Sequence, residues 1–357
     1  LINGYMTTGE VSNWALVNKF AGWLVLVCYF GLGAWLTANH DSHTIRLFLQ
    51  SFVAAFLVIF LACFIHLVLK DIFGTQIATT EERQLKGFMG NRNAFAFLVL
   101  MAMSLMAVYA ASGKSLIPRW ANTLFWTGLP VLLVYDGSRA GWIAASIIII
   151  VIACYFKGRA IKSIFVPLII GLSIVAALYT VNTSLVLRER QGQSTKQFAE
   201  VVTHDSHSDK NQKAIKQGLT NRGDSIRLRV LDDALAFWRE SPVIGIGLGS
   251  FLKFQFEKYG IENRGLDIID TTPLWLLTET GIVGISAFLL FCLFALHALW
   301  RGSRTIETDS DLLRLALIFT FIGFAIMSLF HELLYSRHLW LMLGMALAVP
   351  RQEKTVG

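Results

Sequence analysis

Nine strongly apolar stretches surround one polar stretch of almost a hundred residues, Asn182 to Thr280, and a water-soluble fold does not accommodate that pattern. The apolar runs fall near 14–36, 47–69, 93–111, 120–134, 140–156, 163–181, 281–300, 315–330 and 333–349, of which 120–134 and 333–349 are short. A helix crossing the hydrocarbon core needs roughly 20 mostly apolar residues, because its backbone must satisfy its own hydrogen bonds there. Only 15% of the residues are charged, against about 25% in soluble domains, so polar surface is scarce. The expected fold class is all-α: a polytopic transmembrane helix bundle of about nine spans with one long loop containing interfacial helices. It divides into N-terminal transmembrane helices (1–181), the loop (182–280), and C-terminal transmembrane helices with a tail (281–357).

The net charge of +7 does not point to nucleic acid, because the 182–280 loop holds 13 Lys/Arg and 13 Asp/Glu and is formally neutral. The excess lies elsewhere. The connections 37–46, 112–119, 157–162, 301–314 and the tail from Arg351 carry 11 Lys/Arg, against 6 in 1–13, 70–92, 135–139 and 331–337. The positive-inside bias assigns the first set to the cytoplasm. The long loop, Arg139 and His331 are then expected outside. Leu1 falls outside too and 1–13 has no signal-peptide pattern, so a preceding piece with an odd number of spans is expected. Cys28, Cys63, Cys154 and Cys292 all lie in spans, which suits small apolar packing residues and predicts neither a disulfide nor a thiolate metal site.

The loop is uneven. Arg188–Gly223 is rich in Gln, Ser, Lys, His and Asn and is expected to be weakly ordered. Arg227, Leu231, Leu235 and Trp238 follow helical spacing, and Ser241-Pro242 closes the run. That predicts a helix over Ser225–Glu240 at the membrane interface, with Trp238 at headgroup depth. Gly245, Gly247 and Gly249 mark a tight turn and lack the strand–helix setting of a dinucleotide fingerprint.

Several residues could carry chemistry. Arg139, in Tyr135-Asp136-Gly137-Ser138-Arg139, stands at a span mouth, where its planar fork suits phosphate oxygens or simply anchors the helix end by snorkelling. Arg222, Arg227 and Arg229 gather at the interfacial helix start, as an anion site or a solvated basic face. His331 and Glu332 occupy the turn before the last span, followed by Arg337 and His338. Ionisable groups at membrane depth are costly and default to a functional reading. His331 could accept a proton from a hydroxyl or hold a phosphate as imidazolium, or the turn could be satisfied by water; His338 could snorkel. Asp270, ahead of Thr272-Pro273, is a candidate base or a helix cap, and Glu279 could face the same cavity. His204-Asp205-Ser206-His207-Ser208-Asp209 invites a metal reading, but metal sites need rigid ligands with outer support, and no metal is expected. His66 and His297, in or near mid-span, read as packing residues.

Four segments in order resemble the bacterial O-antigen ligase and O-antigen polymerase superfamily. They are Gly87-Phe88-Met89-Gly90-Asn91-Arg92-Asn93-Ala94-Phe95-Ala96; Ser138-Arg139-Ala140; Ser225-Ile226-Arg227 through Trp238 and Ser241-Pro242 to Gly245-Ile246-Gly247-Leu248-Gly249; and Thr272-Pro273-Leu274-Trp275-Leu276-Leu277-Thr278-Glu279-Thr280-Gly281-Ile282-Val283-Gly284. The resemblance covers most of the chain. It implies transfer of an undecaprenyl-diphosphate-linked oligosaccharide at the periplasmic face of the bacterial inner membrane. The acceptor would be lipid A–core for a ligase, or a lipid-linked repeat unit for a polymerase. It also implies catalysis without metal or other cofactor, with Arg139 and Arg227 matching arginines that hold the diphosphate. Arg92, Arg222, Arg229, Glu332 and Arg337 are expected around the substrate. One departure stands out: ligases of the group carry His-Asn eleven residues before the glycine matched by Gly281, and this chain has Asp270-Thr271 there. The base role then passes to Asp270 or to His331-Glu332, which tilts the expectation toward a polymerase.

The chemistry also follows without the resemblance. A departing lipid diphosphate develops negative charge that fixed arginines stabilise, while Asp270 or His331 deprotonates the acceptor. The rival classes are a flippase or transporter of polyprenyl-linked glycans, and a non-catalytic assembly scaffold. A transporter should carry charges or broken helices at the midplane, where Lys19 and Pro130 are the only suggestive residues.

Overall fold

The computed structural model describes residues 2–9, 14–38, 42–73, 80–81, 84–89, 91–157, 164–177, 222–259, 268–303 and 307–348. The Arg188–Gly223 texture and the His204–Asp209 cluster lie outside the described residues, apart from the helix start at Arg222. Helix α1 (Ile2–Thr8) precedes a π-helical stretch, Trp14–Phe20, that runs into α2 (Ala21–Ala38). Then come α3 (Ser42–Phe73), the two-residue strands β1 (Thr80–Glu81) and β2 (Gln84–Leu85) paired antiparallel, α4 (Arg92–Ala111), α5 (Arg119–Asp136) and α6 (Arg139–Tyr155). The remainder is α7 (Ile164–Ala177), α8 (Arg222–Glu240), α9 (Phe251–Tyr259), α10 (Thr272–Gly302), α11 (Asp309–Ser328) and α12 (Arg337–Ala348).

The chain is a polytopic helical bundle. Among the described residues, five helical segments are long and apolar enough to cross a membrane by themselves: Ala15–Ala38, His43–His66, Arg92–Ala111, Thr272–Gly302 and Asp309–Ser328. Burial separates the centre from the rim: 89% of the apolar window of α4 and 78% of that of α11 is buried, against 11% for α10. Phe95, Leu100, Met103 and Val108 of α4 meet Leu313, Ala316 and Phe324 of α11 and Ala144 and Ile148 of α6 in one core. Outward, α3 and α10 present Val58, Ile65, Leu290, Leu293 and Phe294 to the surroundings. A soluble protein of this size would not leave such a belt bare. Facing lipid, the belt is the expected outer surface.

Helices α2 and α12 approach most closely where neither has a side chain. A Cβ on Gly33 would strike the Leu341 carbonyl, and one on Gly344 the Phe30 carbonyl. Small residues at such crossings let backbones of membrane helices pack against each other directly. Helix ends are set by local chemistry. The Asn91 side chain accepts from the Ala94 N–H at 2.8 Å, and Thr308 forms a reciprocal box with Asp311.

The structure moves some boundaries. The predicted interfacial helix begins at Arg222 rather than Ser225, and its buried face is Val230, Ala234 and Phe237. Leu231 is exposed, a notch away from that face. Helix α9 was not expected, and Lys258 on it pairs with the buried Asp233 of α8 at 2.7 Å. Helix α10 starts nine residues before the apolar run and crosses the expected boundary at 280/281 with a kink at Gly281 (φ 66°, ψ −168°). Thr271, not Asp270, is its N-cap.

Candidate functional site

The starts of α4, α6, α10 and α12 and the polar residues around them meet at one end of the bundle. Gly137 ends α5 in a left-handed conformation (φ 69°), and the next residue, Ser138, caps α6 by accepting from the Gly141 N–H at 3.2 Å. This two-residue corner makes Arg139 the first residue of a helix, exposed and without an ion pair among the described residues. The same corner buries Asp136 completely; its Oδ2 accepts from the Ser138 N–H at 3.2 Å, and its Oδ1 has no hydrogen-bond partner among the described residues. Burial pushes the Asp136 carboxyl up to about 8, although the Ser138 N–H and the Arg92 guanidinium both pull against that shift.

His331 follows the end of α11, its N–H donating to the Met327 carbonyl at 2.9 Å. Thr272 of α10 fixes the turn: its Oγ1 donates to the His331 carbonyl and accepts from the Leu333 N–H, both at 3.1 Å. The imidazole is held down to about 4, first by burial and then by the Arg227 and Arg92 guanidiniums. Two arginines from α8 and α4, distant in sequence, therefore act on one histidine from the 328–337 turn. At neutral pH that histidine is uncharged, which favours the proton-acceptor reading over a phosphate-holding imidazolium.

The other candidates are placed as follows. Asp270 is exposed, two residues from the Thr272 that grips the His331 turn. Arg229 is exposed on α8, and the Arg222 side chain lies outside the described residues. Arg337, exposed at the start of α12, lines a cavity of about 720 Å³ with Asn18, Gly22 and Tyr335. The Glu332 carboxylate is engaged by Lys19 at 2.8 Å. Glu279 is buried: its Oε2 accepts from the Gly249 N–H and the Trp275 Nε1–H, each at 2.7 Å, and it borders a second cavity of about 680 Å³. His338 is packed beside Phe97, ring centroids 6.2 Å apart.

The glycine turn has a structural explanation. Gly245 and Gly247 thread along the kink of α10: Ile246 N–H donates to Thr278 O, Gly247 N–H to Glu279 O, Ile282 N–H to Pro242 O and Val283 N–H to Val243 O, all at 3.0 Å. A Cβ at Gly245 would strike the Glu279–Thr280 peptide, and one at Gly281 the Val243 carbonyl. The motif locks α8 and its arginines to the helix that holds the His331 turn.

Two residues gained importance only in three dimensions. Asp136 has no role that its neighbours in the sequence disclose; a carboxylate in a two-residue corner between apolar spans is the available signal. Lys19 drew notice only as a charge within a span, since its partner is 313 residues away.

A multi-pass helical membrane protein with a cluster of arginines and a histidine at one end is the class that fold and site define. A family model described as O-antigen ligase matches residues 123–289, a stretch running from α5 to the lipid-facing part of α10. The match supports the resemblance to the O-antigen ligase and polymerase superfamily, and with it a ligase- or polymerase-type function in general. No curated protein matches the chain.

Proposed function

We propose that the protein transfers a glycan from a polyprenyl diphosphate, of the undecaprenyl type, to a sugar hydroxyl at the outer face of the bacterial inner membrane. The acceptor hydroxyl attacks the anomeric carbon, the bond from that carbon to the diphosphate oxygen breaks, and the lipid diphosphate departs. The acceptor proton passes to His331, with Asp270 as the alternative acceptor. Arg139, Arg227 and Arg92 meet the charge that grows on the leaving diphosphate; preorganised cations there contribute strongly to the rate. Arg222, Arg229 and Arg337 extend the basic rim. The lipid tail lies in the apolar cavity of about 680 Å³ bordered by Trp23, Phe288, Phe291 and Trp340.

The observation that carries this reading is the joint action of Arg92 and Arg227 on His331. Burial first, and the two cations after it, make the free imidazole a poor base. An anionic diphosphate lodged among them cancels much of that field and raises its basicity. Donor binding thus switches on the proton acceptor, so the acceptor hydroxyl is activated only when a leaving group is present. A transporter reading draws less support, because Lys19 is paired with Glu332 in the same turn as His331.

The test uses purified protein in vesicles with a synthetic undecaprenyl-diphosphate oligosaccharide, with and without lipid A–core. Chain growth supports a polymerase and transfer to the core a ligase, each with one undecaprenyl diphosphate released per glycosidic bond. Vectorial movement without bond formation, or no reaction with either acceptor, overturns the reading.

A further inference from the structure

We infer that Lys19 is a positioning residue that holds the His331 turn in its working place. Only 2% of its side chain is exposed, and its Nζ meets the Glu332 carboxylate at 2.8 Å. The same ammonium lies 4.2 Å from the centroid of the Trp275 ring and 5.4 Å from that of Tyr335. Trp275 donates to Glu279, and Glu279 accepts from Gly249 in the glycine turn. Tyr335 donates back to the Lys19 carbonyl at 3.4 Å. One lysine thus touches the residue after His331, the helix that hydrogen-bonds the His331 carbonyl, and, through Trp275, the turn that carries α8.

The backbone around Lys19 supplies a second, independent indication. Trp14–Phe20 is π-helical. A π-helical turn carries extra residues relative to an α-helical one and re-aims side chains, and such turns concentrate at functional sites. A buried ammonium is tolerated only when paired and hydrogen-bonded. Its place therefore depends on Glu332, and the place of Glu332 depends on it. The turn from His331 to Tyr335 is gripped by Thr272 on one side and Lys19 on another, while Trp340 Nε1–H donates to the Leu334 carbonyl at 2.8 Å. Removing Lys19 takes away the ion pair on Glu332, the residue next to His331, and leaves the backbone ties of the turn alone to hold it.

The effect on catalysis rests on the proposed glycosyl transfer; the effect on the turn does not. The experiment compares the full chain in lipid nanodiscs with Lys19→Met, Glu332→Gln and the swapped pair Lys19→Glu/Glu332→Lys. Amide hydrogen exchange over residues 331–336 is read without substrate. Turnover is read with the undecaprenyl-diphosphate oligosaccharide. The expected result is about tenfold or faster exchange in 331–336 for both single variants, with exchange in α8 unchanged, and partial return in the swapped pair. For transfer, kcat falls by up to about 100-fold, the scale of a small misplacement, with KM for the donor held within about twofold. If Lys19→Met does not fold, Lys19→Arg serves instead, with faster exchange confined to 331–336 expected. Folded variants with wild-type exchange in 331–336 and wild-type kcat overturn the inference. A wild type that exchanges as expected but transfers nothing counts against the glycosyl-transfer reading alone.

Discussion

His331 changes charge in a window displaced from that of an ordinary histidine, and this sets the sign of two expectations. In the folded protein it gains its proton only near pH 4, against 6.5 for the unperturbed side chain. Above about 6.5 folded and unfolded chains both carry neutral imidazole, so nothing depends on pH. As pH falls from there toward 4, the unfolded chain takes up a proton that the folded chain refuses, and stability is lost across that window. Replacing Arg227 by Gln removes one opposing cation, so the His331 pKa should rise above about 4 in an NMR titration of labelled histidine. An unchanged value would separate Arg227 from the site. Asp136 has the opposite sign: its carboxyl titrates near 8 instead of 3.8. The neutral acid suits the fold, and stability declines as pH rises from about 4 through 8. Asp136→Asn imitates that acid, so its melting temperature at pH 8 should exceed the wild type by a few degrees, about the effect of 1 kcal/mol or more. Arg139→Ala and Arg227→Ala should each lower transfer by at least about 10²–10³-fold in folded, inserted protein, measured as glycan product in cells lacking the native enzyme.

Among the elements, α10 shows best what could be read from the residues and what could not. Its apolar half was plain, as were Pro273 in the first turn and a tight glycine turn at 245–249. The kink was hidden, because Gly281 looks like any glycine in a membrane helix until the 242–247 strand of backbone lies along it. A side chain there meets both a positive φ and the Val243 carbonyl, so Gly281→Ala should destabilise by about 1–3 kcal/mol or more. A thermal melt in detergent within a degree of wild type would refute that. Helix α8 was visible from the spacing of Arg227, Leu231, Leu235 and Trp238, yet that spacing did not disclose which face packs against the protein. Val230, Ala234 and Phe237 pack, because they meet Ile246, Phe251 and Trp275. Helix α9 escaped notice, since its staple is an ion pair, Lys258 to Asp233, between residues that read singly as solvated charges.

For the molecule as a whole, periodicity and run length sufficed to give a bundle of apolar helices. The gathering of Arg92, Arg227 and His331 was not legible, because it depends on which helix ends meet. The opposite end of the bundle has its own polar contacts. Lys114 donates to the Glu307 carbonyl, Tyr109 to Asp309 at 3.0 Å, and Arg314 to the Ala346 carbonyl at 3.0 Å. Single cysteines at 139, 227 and 331, in a background with Cys28, Cys63, Cys154 and Cys292 replaced, should label with an impermeant reagent from one side of the membrane. A cysteine at 114 should label from the other. Labelling of 139 and 331 from opposite sides would dismantle the site.

The clasp between Lys19 and Glu332 has a bearing on biogenesis. A ribosome emits the lysine 313 residues before its carboxylate emerges, and a lone ammonium in a dry interior is strongly disfavoured. Until the hairpin of α11 and α12 has been made, the helical segment that carries Lys19 has reason to stay loosely seated. A chain that stops short of Glu332 lacks the lysine's partner, so the clasp and the turn that carries His331 come into being together.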